Sequence, residues 1–372
     1  MPAFDLDAYL ARIRYDGPLE PSHATLAGLL AAHMDSTHFE NIDVLLGRTI
    51  PLDAESLQEK IVRGGRGGYC FEQATLFDAA LRALEFKTTL RTARVTLVLA
   101  PDKAPRGHMI VVIDLPEGSF VADPGLGGLG CRAPIPLDGT PVADRGEINQ
   151  IVFDGRRRLL KVASEERTVD AWVSGLDADN WVDFEVANHW FSTHPASPMR
   201  QRLMLRAMTP EGRVTVMNRD ITTCSNGRVG TRQIENRNEL RDLLREVFGF
   251  DLPEAETLRV PTVPEWQCEA AGHPTEEPQN RAKPARRRSG NASGVRGGVE
   301  EPMNDQVEMV RLLAYQLWEN AGCPEGRHDD FWFAAEAQIR QAFEAEAMDK
   351  PDGTDADPAA AAPDAARPSK AA

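Results

Sequence analysis

The sequence predicts an α+β fold: helices first, then an antiparallel sheet or small barrel, then a mixed third region. Three observations predict it. Apolar residues recur at helical spacing to about residue 85 and then alternate, so the period changes from 3.6 to 2. A glycine-rich run, Arg63 to Glu72 (RGGRGGYCFE), leads straight into a helical stripe of Ala74, Phe77, Leu81 and Leu84. Past residue 268 the chain becomes rich in Arg, Gly and Pro, with almost no apolar residue, a composition that cannot bury a core. At 372 residues the chain is too long for one core, so two or three domains are expected.

Leu6, Tyr9, Leu10 and Ile13 form the stripe of a first helix. Ser22 is placed to cap a second, carrying Leu26, Leu29, Leu30 and His33, because a hydroxyl can take one of the N–H groups a helix start leaves unpaired. Asp53 is placed to cap a third, with Leu57 and Ile61 inward. The helix after Cys70 is the fourth, and residues 1–85 read as a helical bundle. Between the second and third helices lies HFENIDVLLGR, residues 38–48. Glu40 there and Arg66 in the glycine run carry opposite charge beside apolar segments, and they are expected to pair and brace the loop.

Strands are expected from 86 to 190: Thr88 to Leu99, His108 to Leu115 and Ser119 to Asp123, the last two joined by the turn residues LPEGS. Gln150 to Phe153, Leu159 to Ala163 and Thr168 to Val173 follow. Residues 191–268 hold a hairpin turning at Pro210, Glu211 and Gly212, then a helix from about Asn238 to Phe248 ending at Gly249. Residues 269–300 read as a disordered linker and 347–372 as a disordered tail. Between them, 301–346 form a helical hairpin whose stripes, Val307 to Leu317 and Trp332 to Phe343, need a partner surface. A protein partner or self-association through residues 303–345 is therefore an open possibility.

The net charge of −15 disfavours nonspecific nucleic-acid binding. No apolar run is long enough to span a membrane, and the acidic start is unlike a signal peptide, so a cytoplasmic protein is expected. The five cysteines, Cys70, Cys131, Cys224, Cys268 and Cys323, are scattered and show no CxxC spacing. That argues against a disulfide framework and against a zinc site, and no metal is expected.

Cys70 stands apart. A helix N-terminus offers unpaired N–H groups and a partial positive charge, which lower a thiol's pKa and favour the nucleophilic thiolate. Such a nucleophile needs a base, and the base an orienting group. His108 opens one expected strand and Asp123 ends the next. If Leu115 faces Gly118, then Ile110 faces Asp123, and His108 and Asp123 are diagonal neighbours on one face; a one-residue slip would separate them. His33 and His38 sit within the helical region, and His189 and His194 have no nearby strand-end carboxylate. After Asp123, PGLGGLG brings bare backbone at Gly125, Gly127, Gly128 and Gly130 to the same place, where it could cradle a phosphate or pantetheine chain. It lacks the strand-to-helix setting of a dinucleotide fingerprint.

HFENIDVLLGR, RGGRGGYCFE, the His108 strand, DPGLGG and STHPASP together resemble the arylamine N-acetyltransferases, in order and over about residues 1–270. The resemblance implies a three-domain fold on a papain-like thiol-enzyme core: helical bundle (1–85), antiparallel β-barrel (86–190) and α/β lid (191–268). It implies a Cys-His-Asp triad at Cys70, His108 and Asp123, an acceptor pocket lined by Phe39, and a substrate loop at Gly125, Leu126 and Gly127. It implies acetyl transfer from acetyl-CoA, through an acetyl-cysteine in ping-pong fashion, to an aromatic amine, hydrazine or N-hydroxyarylamine, as in xenobiotic metabolism, with coenzyme A released. Two positions depart from the family pattern. Pro124-Gly125-Leu126-Gly127 replaces valine-glycine-phenylalanine-glycine, removing an aromatic stacking surface, and Ala74 stands where an asparagine is common. The last hairpin resembles a short bacterial domain of unknown function. Other readings of the same residues are a thiol hydrolase or transglutaminase-like enzyme, and a silent binding protein.

Overall fold

The computed structural model describes residues 4–266, apart from 165–166, 177–178, 210–211 and 226–227, together with Ala335. The expected linker, C-terminal hairpin and tail lie outside the described residues, Ala335 excepted. The described residues from 4 to 266 belong to one compact unit.

Helix α1 (Leu6–Ile13) buries Tyr9 and Ile13 against α2 (His23–Ser36), whose start is capped by Ser22 accepting from the Thr25 amide at 3.2 Å. A two-residue strand, β1 (Phe39–Glu40), and one helical turn, α3 (Ile42–Leu45), follow. Asp53 caps α4 (Ala54–Leu57), which widens into a π turn over Gln58–Arg63; Leu57 and Ile61 face inward. Helix α5 (Cys70–Ala83) fills the centre of this first region, with Phe71, Ala74 and Phe77 fully buried.

Eight antiparallel strands come next: β2 (Lys87–Val95), β3 (His108–Leu115), β4 (Gly118–Ala122), β5 (Ile135–Pro136), β6 (Val142–Asp144), β7 (Glu147–Phe153), β8 (Arg158–Ala163) and β9 (Thr168–Ser174). They run in the order β5-β4-β3-β2-β9-β8-β7-β6, and β5 packs back against β7, so the sheet curls into a nearly closed barrel. Ile110, Val112, Val121, Ile151, Leu160 and Trp172 fill it. Strand β2 ends four residues before the expected Leu99. Leu97 and Val98 are 45 % and 72 % exposed, so their apolar character finds no neighbouring strand to pack on. The short strands β5 and β6 have too few residues to show a period.

Helix α6 (Trp181–Thr193) straddles the expected boundary at 190, and α7 (Pro198–Gln201) follows it. Strands β10 (Met204–Thr209), β11 (Gly212–Met217), β12 (Asp220–Ser225) and β13 (Arg228–Gln233) form a second antiparallel sheet. Its outer member is β1, in the order β1-β10-β11-β12-β13, so the segment at 38–48 supplies an edge strand to a sheet more than 160 residues further on. Leu205, Ala207, Val216 and Ile221 of this sheet pack on α8 (Arg237–Glu246) through Leu240, Leu243 and Leu244. Gly249 takes φ +75° just past that helix, where a β-carbon would be strained. Among the described residues no helix is long and apolar enough to cross a membrane.

Candidate active site

Cys70 is the first residue of α5 and is 4 % exposed. The loop before it is pressed onto β1. The Gly68 amide donates to the His38 carbonyl at 3.1 Å, and the Glu40 amide donates to the Gly68 carbonyl at 3.2 Å. A β-carbon at Gly67 would stand 2.0 Å from that His38 oxygen, so only glycine allows the contact. The Glu72 carboxylate accepts from the Tyr69 amide at 3.0 Å and closes the helix start. The thiol of Cys70 donates to the Gly107 carbonyl at 3.6 Å.

One residue on, β3 begins with His108. Leu115 pairs with Gly118, Ile113 with Phe120 and Val111 with Ala122, the expected register. It brings His108 Nε2 within 2.9 Å of both Asp123 oxygens, and both side chains are buried. Asp123 also accepts from Trp172 Nε1 at 2.8 Å and from the Gly125 amide at 3.3 Å. Burial opposes a charge on His108, but the Asp123 carboxylate and, after it, Cys70 outweigh that and carry its pKa up to about 10. With Nε2 given to Asp123, Nδ1 is the ring nitrogen left to serve Cys70.

The glycine loop after Asp123 meets the nucleophile directly. A β-carbon at Gly125 would lie 2.6 Å from Cys70 Cα. Gly127 has φ +71°, a conformation that favours glycine. Leu126 is half-buried and packs on the apolar interior of the barrel, and Phe39 is buried in the same cluster as Cys70.

The Glu40–Arg66 pair forms, with Arg66 Nη2 and Nε at 2.6 Å and 3.0 Å from Glu40 Oε1. It belongs to a wider network. Lys60 Nζ lies 2.8 Å from Asp43 and 2.7 Å from Glu72, and Arg66 lies 3.3 Å from Asp43. Burial pushes Asp43 up, but Lys60 and Arg66 pull it down further, to about 2. Burial pushes Glu72 above its usual value. The other histidines have different settings. His33 is locked between the Tyr9 hydroxyl and Gln73 Oε1, each at 2.9 Å, and burial drives its pKa down to about 3. His38 meets Phe248 edge-on, and burial, then Arg12 and Arg206, lower its pKa to about 4. His194 stacks on Trp190.

Sequence reasoning missed Trp172, which holds Asp123 from 49 residues away. Its signal was available: an indole on an inward strand position must find a partner for its N–H. It also missed Gly107, whose close neighbour is the Phe191 ring of α6.

A thiol at a helix start, beside an imidazole held by a buried carboxylate, is equipped for acyl transfer through a thioester. The chain belongs to the N-acetyltransferase family, whose model matches residues 22–257. It is 33% identical over 254 residues to an arylamine N-acetyltransferase of Escherichia coli (strain K12), covering 67% of this chain and 90% of that one. It is 32% identical over 255 residues to an arylamine N-acetyltransferase / N-hydroxyarylamine O-acetyltransferase of Salmonella typhimurium, covering 66% and 88%. Among solved structures, the Mycobacterium marinum arylamine N-acetyltransferase in complex with CoA superposes with a TM-score of 0.64 at 28% identity, covering 68% of this chain and 94% of that one. A second model, a protein of unknown function (DUF2934), matches residues 305–341.

Proposed function

We propose that this protein moves the acetyl group of acetyl-CoA to an arylamine, arylhydrazine or N-hydroxyarylamine through an acetyl-cysteine on Cys70. The observation that carries this reading is His108, buried between Asp123 and Cys70 and favoured as its cation. Proton transfer from Cys70 to His108 gives a thiolate beside an imidazolium. The thiolate attacks the thioester carbonyl, a new C–S bond forms, and the bond to coenzyme A breaks as His108 returns its proton to the departing sulfur. The acceptor nitrogen then attacks the acetyl-cysteine. His108 takes the proton that nitrogen loses, and the Cys70 thiolate leaves. Asp123 keeps Nε2–H oriented and supports the positive ring. Aromatic amines suit the second step because they are neutral near pH 7. The bundle (1–85) supplies the thiol, the barrel (86–190) the imidazole and carboxylate, and the lid (191–268) closes over them in the cytoplasm, where foreign aromatic amines are met. The family relatives, and CoA on the M. marinum protein, support the donor and acceptor classes.

The test is CoA release from acetyl-CoA across a panel of arylamines and hydrazines. Amine-dependent release, lost in Cys70→Ala with the fold retained, is expected. Release without amine points instead to a hydrolase. Transfer persisting in Cys70→Ala overturns the mechanism.

A further inference from the structure

Arg206 is a charged group that the transfer chemistry leaves unused. It lies in the middle of β10 and is 4 % exposed. Among the described residues no hydrogen bond or ion pair meets its guanidinium; its neighbours act on it only through space. Burial, then Arg213, lower its pKa to about 10, with Arg145 adding and Asp123 and Asp144 opposing. It is therefore a cation at neutral pH. A buried cation without a counter-charge costs several kcal/mol; by contrast, the largely buried Arg66 and Lys60 each meet carboxylates.

The position is specific. Arg206 stands directly opposite Phe39 across the ladder, so both side chains leave the same face. The opposite face carries Leu205 and Ala207 to the α8 core. Nη1 of Arg206 lies 2.6 Å from where a β-carbon at Gly130 would be, so the guanidinium rests on the loop that begins at Asp123. Nearby acids are committed. Asp123 takes His108, Trp172 and Gly125. Glu147 takes Arg213 at 3.1 Å, and Asp144 takes the Arg132 amide at 2.8 Å.

We propose that Arg206 selects acceptors that carry a carboxylate on the aromatic ring, gripping it with a fork of charge-assisted hydrogen bonds. This rests on the acceptor reading above. An oxyanion is the chemistry recognised, and the phosphates of coenzyme A are its other source. The carboxylate is favoured because a guanidinium this buried, facing with Phe39, suits one charge on a flat apolar ring better than multiply charged, strongly hydrated phosphates.

The experiment compares kcat/KM for 4-aminobenzoate and 4-aminobenzamide in the full chain and in Arg206→Met, with active sites counted by the acyl-enzyme burst from p-nitrophenyl acetate. The acid-to-amide preference is expected to fall by about 10- to 100-fold in Arg206→Met and to return in part in Arg206→Lys. An unchanged ratio overturns the proposal even if both rates fall. If Arg206→Met instead slows acyl-enzyme formation from acetyl-CoA but not from p-nitrophenyl acetate, the anion is a donor phosphate and the acceptor assignment fails. Should the variant not fold, the wild-type protein still decides: benzoate is expected to inhibit acetylation of 4-anisidine at about a tenth of the benzamide concentration or less, and equal potency overturns the proposal. Failure of the wild type to acetylate 4-anisidine at all is the separate failure of the transferase reading.

Discussion

Replacing Gly125 by alanine tests how closely the glycine loop must approach the nucleophile. The added β-carbon would stand 2.6 Å from Cys70 Cα and 2.9 Å from its Cβ, where ordinary contact begins at 3.4 Å. Gly125 is not among the residues with positive φ, so alanine meets no conformational penalty there; the clash alone is tested. The obstructing atoms are backbone and the first side-chain carbon, which cannot swing away. Relief requires the loop or the first turn of α5 to move by roughly 0.8 Å, the shortfall from ordinary contact. Overpacking of this kind costs about 1–3 kcal/mol of stability. A displacement near 1 Å between nucleophile and base slows chemistry by about 100-fold. The assay is the single-turnover burst with p-nitrophenyl acetate, alongside urea unfolding. Gly128→Ala, where a β-carbon meets nothing within 4 Å, is the control and should leave both measurements within about twofold, as surface changes usually do. A Gly125→Ala protein with wild-type burst rate and stability refutes the close-approach argument.

Four further outcomes follow from the same geometry. Asp123→Asn removes the largest influence favouring the His108 cation; burial is then less opposed, the pKa falls, and Cys70 alkylation at pH 7 slows by about tenfold or more. Because the folded pKa of about 10 exceeds the unfolded value, the stabilisation from His108 is full below pH 6.5 and is lost as pH rises toward 10; urea midpoints across that window should decline in the wild type and less in Asp123→Asn. Glu40→Gln takes from Arg66 its nearest carboxylate, 2.6 Å away, and should cost about 3–5 kcal/mol, read from chemical unfolding; a loss under 1 kcal/mol contradicts the bracing role. Trp172→Phe deletes a hydrogen bond to a buried carboxylate worth about 1.5–3 kcal/mol, so kcat/KM should drop roughly 10- to 100-fold, and an unchanged value shows that Asp123 is held well enough without it.

The core of the site was legible because its determinants are local. The Leu115-to-Gly118 turn fixes the register of β3 and β4, and with it the meeting of His108 and Asp123. Caps at Ser22 and Asp53 announce their helices. The Glu40–Arg66 pair could be anticipated from charge beside buried segments, but Lys60, Asp43 and Glu72 could not, since which of several charges meet is decided by tertiary packing. Strand β1 is two residues long and shows no alternation, so its attachment to β10 had no periodic signal. Strand β13 is exposed along its whole length, which removes the apolar pattern by which a strand is read.

That same short strand has a consequence for synthesis. Phe39 and Glu40 sit between the Cys70 loop and β10, paired with Arg206 and Leu205, and Asn41 holds the Met199 and Arg202 carbonyls at 2.9 Å and 2.7 Å. These are contacts of very high sequence separation. On a growing chain the thiol emerges first, the imidazole 38 residues later, the indole behind Asp123 later still, and β10 last. The nascent protein thus exposes its nucleophile before the imidazole and carboxylate that activate it, and the loop bearing that nucleophile gains its β10 neighbour only after residues 204–209 have emerged.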